Sequence, residues 1–211
     1  DELIMQINAI PEFDENDELD TVILVSHDIT ERKKSELMIQ TANKKITDSI
    51  NYAKRIQSAI LPPEKLWKDA LPDSFVLYLP KDIVAGDFYW MEHTDDRVIF
   101  AAADCTGHGV PGAMVSVVCN NALHRSVAEF GLKDPGQILD ETRRMVIDQF
   151  KKGEEDVKDG MDIALVSLRH EGDKHLLEYA GANNALWVIR KEAEEIEEYK
   201  PNKQPIGKVD D

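Results

Sequence analysis

Two short stretches of this chain set a carboxylate beside glycine, a combination suited to holding a cation. The first is Ala85-Gly-Asp-Phe-Tyr89, in which Asp87 opens a strand-like run. The second is Asp104-Cys-Thr-Gly-His-Gly109, which follows the apolar run 98–103 and precedes Pro111. An aspartate at the end of a buried strand is costly unless something neutralises it. Mg²⁺ or Mn²⁺ would do so, because these ions take carboxylate, backbone carbonyl and water oxygens. Gly86, Gly107 and Gly109 permit tight turns and close backbone approach. If the two strand ends adjoin, Asp87 and Asp104 share one pocket. Two ions bridged by Asp104 would then activate a water toward phosphorus. The plainer alternative is that each aspartate caps or closes a turn.

Other chemistries are excluded by inspection. The chain has no G-x-x-x-x-G-K-[ST], no H-E-x-x-H, no C-x-x-C and no G-x-S-x-G. Its six histidines do not pair at ligand spacing. Ala85-Gly-Asp-Phe is not a nucleotide-cyclase loop either, since the second glycine and the second acid are missing.

Elements that would position the aspartates can be read around them. Residues 75–79, 87–91 and 97–103 are strand-like, and the last is an almost wholly apolar run. Residues 111–130 read as a helix with Pro111 in its first turn and Gly131 as its cap. Residues 135–150 read as a second, amphipathic helix. Four further strands are expected at 162–168, 176–180, 185–189 and 196–199. Strands, then two helices, then an antiparallel meander is an α+β order rather than a βαβ alternation. Asp162 begins one of these strands, where it would either bind an auxiliary ion or cap the strand.

Upstream, charge divides the chain. Residues 1–30 carry nine acidic and no basic side chains, and residues 31–60 carry seven basic and three acidic. Such blocks mark separate modules. The first contains two strand-like runs, 3–10 and 21–26, that suggest a hairpin. The second lacks glycine and proline until Pro62 and reads as one long helix. Ile39, Ile46, Ala53 and Ile60 lie seven apart, with Ala42, Ser49 and Ile56 three beyond the first three, as in the seam of a parallel coiled coil. A lone amphipathic helix is the other reading of that pattern. Leu61-Pro-Pro63 ends it.

The 211 residues carry a formal net charge of −16, which opposes sequence-independent binding to nucleic acid or to an anionic membrane surface. A hydrophobic fraction of 42% suffices for a packed core. No apolar run approaches a membrane span. Two cysteines and no secretory signal fit a reducing cytoplasm.

Three resemblances sharpen the reading. Asp28-Ile-Thr-Glu-Arg-Lys33 after a strand resembles the closing segment of a PAS sensor domain. Asp104-Cys-Thr-Gly-His-Gly109 before a small-residue helix, Gly86-Asp-Phe-Tyr89 upstream and Ala180-Gly-Ala-Asn-Asn-Ala-Leu-Trp187 downstream resemble the protein phosphatase 2C superfamily. More narrowly they look like its bacterial SpoIIE-like branch, and Ile60-Leu-Pro-Pro63 matches the segment that commonly precedes that domain. The resemblance implies a four-layer α-β-β-α sandwich with a two-metal Mn²⁺ or Mg²⁺ centre. It also implies hydrolysis of phosphoserine or phosphothreonine on a small regulatory protein, such as an anti-sigma-factor antagonist. Together with the charge blocks and the heptad pattern, the resemblances divide the chain into a PAS end (1–30), a coiled-coil linker (31–61) whose heptad seam suggests a homodimer, and a phosphatase domain (62–211).

On the matching positions, Asp104 is the bridging ligand, Cys105 offers its backbone carbonyl, and Asp87 is the upstream acid. Gly86, Gly107, His108 and Gly109 shape the loop. His108 would reach the phosphate or merely pack, and Lys81 would meet the phosphate or stay solvated. The family's two later metal-binding aspartates, from a Thr-Asp-Gly segment and a final strand, have no counterpart before Asp211, so the resemblance implies an incomplete domain and weak or absent turnover. The competing reading is a module that dimerises and binds a phosphoprotein without cleaving it.

Overall fold

In a computed structural model of the chain, residues 2–94, 96–151, 158–172, 174–191 and 195–208 are described. The chain divides into two compact units, residues 1–49 and 50–211.

In the first unit, β1 (Met5–Phe13) and β2 (Leu19–Asp28) form an antiparallel hairpin. Asp14 sets its turn, its Oδ1 accepting from the amides of Asn16 and Glu18 at 2.8 and 2.9 Å. Helix α1 (Thr30–Ile60) starts directly after β2. Asp28 Oδ1 accepts the Thr30 amide at 2.9 Å, and Thr30 Oγ1 accepts the Ile4 amide at 2.9 Å. The Asp-Ile-Thr motif therefore ties the helix start to the open end of the hairpin.

In the second unit, the helix ends at Ile60, before Pro62 and Pro63, and a short α2 (Glu64–Ala70) follows. β3 (Phe88–His93), β4 (Arg97–Cys105), β5 (Met161–Glu171) and β6 (Lys174–Ala182) form one antiparallel sheet in that order. Between β4 and β5 the chain makes α3 (Gly109–Ala128) and α4 (Pro135–Phe150). β7 (Leu186–Ile189) and β8 (Ile196–Tyr199) pair as a separate ribbon.

Alternation along the strands assigns the two faces of the sheet. Phe88, Trp90, Ile99, Ala101, Ala103, Met161, Ile163 and Leu165 share one buried cluster with Val115, Cys119 and Leu123 of α3 and Ile138 and Val146 of α4. Tyr89, Met91, Val98 and Phe100 point the other way, against Trp67 of α2. The fold is thus α+β, with an antiparallel sheet covered by helices on one face, as the element order predicts.

Two sequence expectations are corrected. The second-unit strand expected at 75–79 does not form: Phe75, Leu77 and Leu79 are 85%, 76% and 80% exposed, and no strand among the described residues pairs with them. Alternation supplies a face, but a strand also needs a hydrogen-bonded neighbour. Helix α3 begins at Gly109 rather than Pro111 and ends at Ala128, while Pro111 keeps its expected place in the first turn.

Candidate active site

The strand register brings the sequence-predicted acids together. Phe88 pairs with Ala103, so Asp87 and Asp104 face each other one step past that pair. Asp104 in turn pairs with Asp162 of β5. By the same alternation, all three aspartates sit at one end of three neighbouring strands, on the face turned away from α3 and α4.

The side chains of Asp87 and Asp104 are close enough to share a hydrogen bond. Partial burial, together with the hydrogen bond and charge of Asp87, pushes the Asp104 carboxyl above the usual carboxylate range. Burial and Asp87 act in the same direction, and no basic side chain among the described residues lowers it. Two like-charged carboxylates held together in this way suit a positive charge between them. Asp162 accepts a hydrogen bond from Asn183 Nδ2 at 2.8 Å. Among the described residues no group of three His, Cys, Asp or Glu side chains gathers within reach of one ion.

Interlocked backbones hold the two loops in place. A Cβ on Gly86 would lie 2.6 Å from the Gly107 carbonyl oxygen and 3.1 Å from that of Cys105. A Cβ on Gly112 would lie 2.5 Å from the same Gly107 oxygen. The segment before Asp87 and the loop after Asp104 therefore touch where no side chain fits. Gly107 also adopts φ +86°, which glycine alone tolerates easily. Thr106 anchors the loop to the start of β5: its amide donates to the Gly160 carbonyl at 2.9 Å, and its Oγ1 accepts the Gly160 amide at 3.1 Å.

Some anchoring residues carry no signal in the sequence pattern. Gln57, near the end of α1, is buried. Its Nε2 donates to the Ala85 carbonyl at 2.6 Å and to Ser116 Oγ at 2.9 Å, while its Oε1 accepts the Ala85 amide at 3.1 Å. Tyr78 Oη donates to the Asp87 carbonyl at 3.1 Å. A glutamine in an amphipathic helix and a tyrosine in a coil look ordinary at sequence level, so only the fold discloses them.

The remaining predicted residues separate. His108 is exposed, its Nδ1 3.1 Å from Asp82 Oδ2, so it ties the glycine loop to the segment bearing Lys81. Lys81 itself is exposed. Cys105 lies in the helix-side core beside Cys119. The hydrogen bond to Cys119, followed by burial, pushes its thiol far above its usual range. That thiol is on the opposite face from Asp104, which leaves only its backbone carbonyl as a donor toward the acids.

An antiparallel sheet with helices over one face, and paired aspartates at its strand ends, places the chain among PP2C-type phosphatase folds. The SiaA-PP2C domain of Pseudomonas aeruginosa superposes with a TM-score of 0.64 at 32% identity, over 79% of this chain and 64% of that one. The profile of stage II sporulation protein E (SpoIIE) matches residues 94–211, and the chain belongs to that family. It is also similar to the phosphoserine phosphatase RsbU of Bacillus subtilis (strain 168), at 27% identity over 139 residues. That alignment covers 66% of this chain and 38% of RsbU, so the chain spans well under two thirds of that relative and slightly under two thirds of the SiaA-PP2C chain.

Proposed function

We propose that this chain is the SpoIIE-type portion of a metal-dependent serine/threonine phosphoprotein phosphatase. The observation that carries the reading is the facing pair Asp87 and Asp104, without a basic partner among the described residues and pinned by glycine contacts. The donor set is all oxygen and suits Mn²⁺ or Mg²⁺. Asp87, Asp104 and the Cys105 carbonyl would hold the metal, with Asp162 as an auxiliary ligand. Bound metal would supply Lewis acidity toward phosphoryl oxygens and a water acidified for attack.

The chain's own residues do the positioning. Asp104, at the end of β4, fixes the centre against the sheet. Gln57 and Tyr78 hold the backbone on either side of Gly86, so that Asp87 meets Asp104 without a search over rotamers and loop states. His108, through Asp82, keeps the Lys81 segment near the glycine loop, where Lys81 would meet an incoming phosphate.

The substrate in this reading is a phosphoserine or phosphothreonine on a small regulatory protein. Control would come from a PAS domain ending near residue 30 through a dimeric helical linker over 31–61, in the cytoplasm. Exposure of Ile39, Ile46 and Ile56 along α1 supports a second copy as the cover for that seam. No helix among the described residues is long and apolar enough to cross a membrane.

The test is Mn²⁺-dependent release of inorganic phosphate from a phosphoserine protein by the full-length protein, with its Asp104→Asn variant measured beside it. We expect the variant to lose about a hundredfold or more. Equal turnover in both would refute the role of Asp104. A second reading, binding a phosphoprotein without cleaving it, is favoured by the lack of a three-ligand cluster among the described residues. Saturable binding by the full-length protein, with no phosphate released at any Mn²⁺ concentration, would select it.

A further inference from the structure

Arginine usage in this acidic chain is uneven. Among the described residues, six of the eight arginines pair with a carboxylate: Arg32, Arg97, Arg125, Arg144, Arg169 and Arg190. Arg144 takes two, Glu141 and Asp148. Its neighbour Arg143 takes none among the described residues. Arg143 is half-buried, and its Nε donates to the Gly207 carbonyl at 3.1 Å, which fixes the guanidinium plane.

Arg143 lines a cavity of about 320 Å³ between α4, the end of β6 and the segment that follows β8. Lys200, Asn202, Gln204 and Asp140 line it too, and Lys200 likewise has no carboxylate partner among the described residues. Two unpaired cations thus face one carboxylate, with amide side chains alongside, on a protein whose net charge is −16. A partly desolvated guanidinium with free terminal donors is the side chain best shaped to grip an oxyanion with two hydrogen bonds.

The cavity adjoins the acidic strand ends. Asn202 donates its amide to the Gly181 carbonyl and accepts the Asn183 amide, each at 2.9 Å, and the Asn183 side chain holds Asp162. We propose that the Arg143–Lys200 cavity is an oxyanion-binding subsite. Its ligand is a carboxylate or a phosphate, and the volume exceeds that of a single free oxyanion, so it has room for an acidic side chain. As a docking point for an acidic segment of the phosphoprotein the idea rests on the phosphatase reading. As an oxyanion site it does not.

The test is ¹H–¹⁵N NMR on the metal-free chain, so that hydrolysis takes no part. One probe is inorganic phosphate and the other an end-blocked tetraglutamate peptide. Saturable shifts are expected at the Arg143 Nε–H and the Gly181 and Asn202 amides. Tighter saturation by the peptide identifies a side-chain docking site, and tighter saturation by phosphate a free-oxyanion site. Arg143 also holds Gly207, so Lys200→Gln, at an exposed position, is the variant that leaves packing alone. It should weaken binding about fivefold, and R143Q/K200Q should abolish saturation. Failure of both probes to saturate, or identical titrations for wild type and Lys200→Gln, would overturn the proposal. Saturation here, with no phosphate released from any phosphoprotein by the full-length protein, would sink the phosphatase reading and leave this one standing.

Discussion

Gln57 and Ala85 exchange two hydrogen bonds, side-chain amide to backbone carbonyl at 2.6 Å and backbone amide to side-chain carbonyl at 3.1 Å, two residues before Asp87. A residue near the end of α1 therefore sets the backbone from which a candidate metal ligand projects. Truncating it leaves a buried amide and carbonyl unpaired, and each such orphan costs about 1–3 kcal/mol.

Gln57→Ala should accordingly lower stability by about 2–4 kcal/mol. It should also weaken Mn²⁺ binding, because the Gly86–Asp87 backbone is released. Metal titration at a temperature where the variant remains folded separates the two effects. Unchanged metal affinity would leave Gln57 with a purely structural role. Gln57→Glu keeps the shape but removes the donor to Ala85 and Ser116, and it should fail in the same direction.

The Asp87–Asp104 contact predicts an unusual stability result. Because the folded protein forces two carboxylates together, removing one charge relieves repulsion. Asp104→Asn should raise the melting temperature of the metal-free chain while abolishing phosphate release. A metal-free melting temperature that falls would mean the pair is not strained by its charge. Such an exchange of stability for function is common where sites gather like charges.

The same pair fixes the sign of a pH effect. The Asp104 carboxyl is raised in the folded state, so the native protein holds its proton more tightly than the unfolded chain does. Below the ordinary carboxylate value of about 4 both states are protonated and the pair costs nothing. As pH rises through the elevated native value the cost appears in full. Metal-free stability should therefore fall from pH 4 toward neutrality by more in the wild-type chain than in Asp104→Asn. Added Mn²⁺ should remove most of that difference at pH 7 and little of it at pH 4. Differential scanning fluorimetry with and without Mn²⁺ reads both.

The contrast between what the sequence discloses and what it hides has a physical basis. Asp87, Asp104 and their glycines were legible because a carboxylate beside glycine at a strand end is a local pattern, and the antiparallel order of β3, β4 and β5 makes those ends meet. Helix α3 was legible from Pro111 near its start, its Ala, Met and Val body and Gly131 beyond its end, and α4 from its amphipathic pattern from Pro135 to Phe150. Gln57, Tyr78 and the Gly86–Gly112 contact were not, since each acts through a partner 9 to 59 residues away. Residues 75–79 misled because their alternation describes one face and says nothing of a hydrogen-bonding neighbour.

Gly86→Ala should be among the most damaging single-methyl changes in the chain. The added carbon would meet the Gly107 carbonyl oxygen at 2.6 Å, and both contacting groups are backbone, so neither can rotate aside. Overpacking of this kind costs about 1–3 kcal/mol where the neighbour can yield, and more where it cannot. The strain would part the two loops and carry Asp87 away from Asp104. We expect loss of Mn²⁺ binding together with a lower melting temperature. Gly131→Ala is the control, because nothing lies within 4 Å of its added carbon, and its positive φ alone makes it mildly destabilising without any effect on metal affinity. If Gly86→Ala bound Mn²⁺ as the wild type does, the interlocked loops could not be what holds the aspartates together.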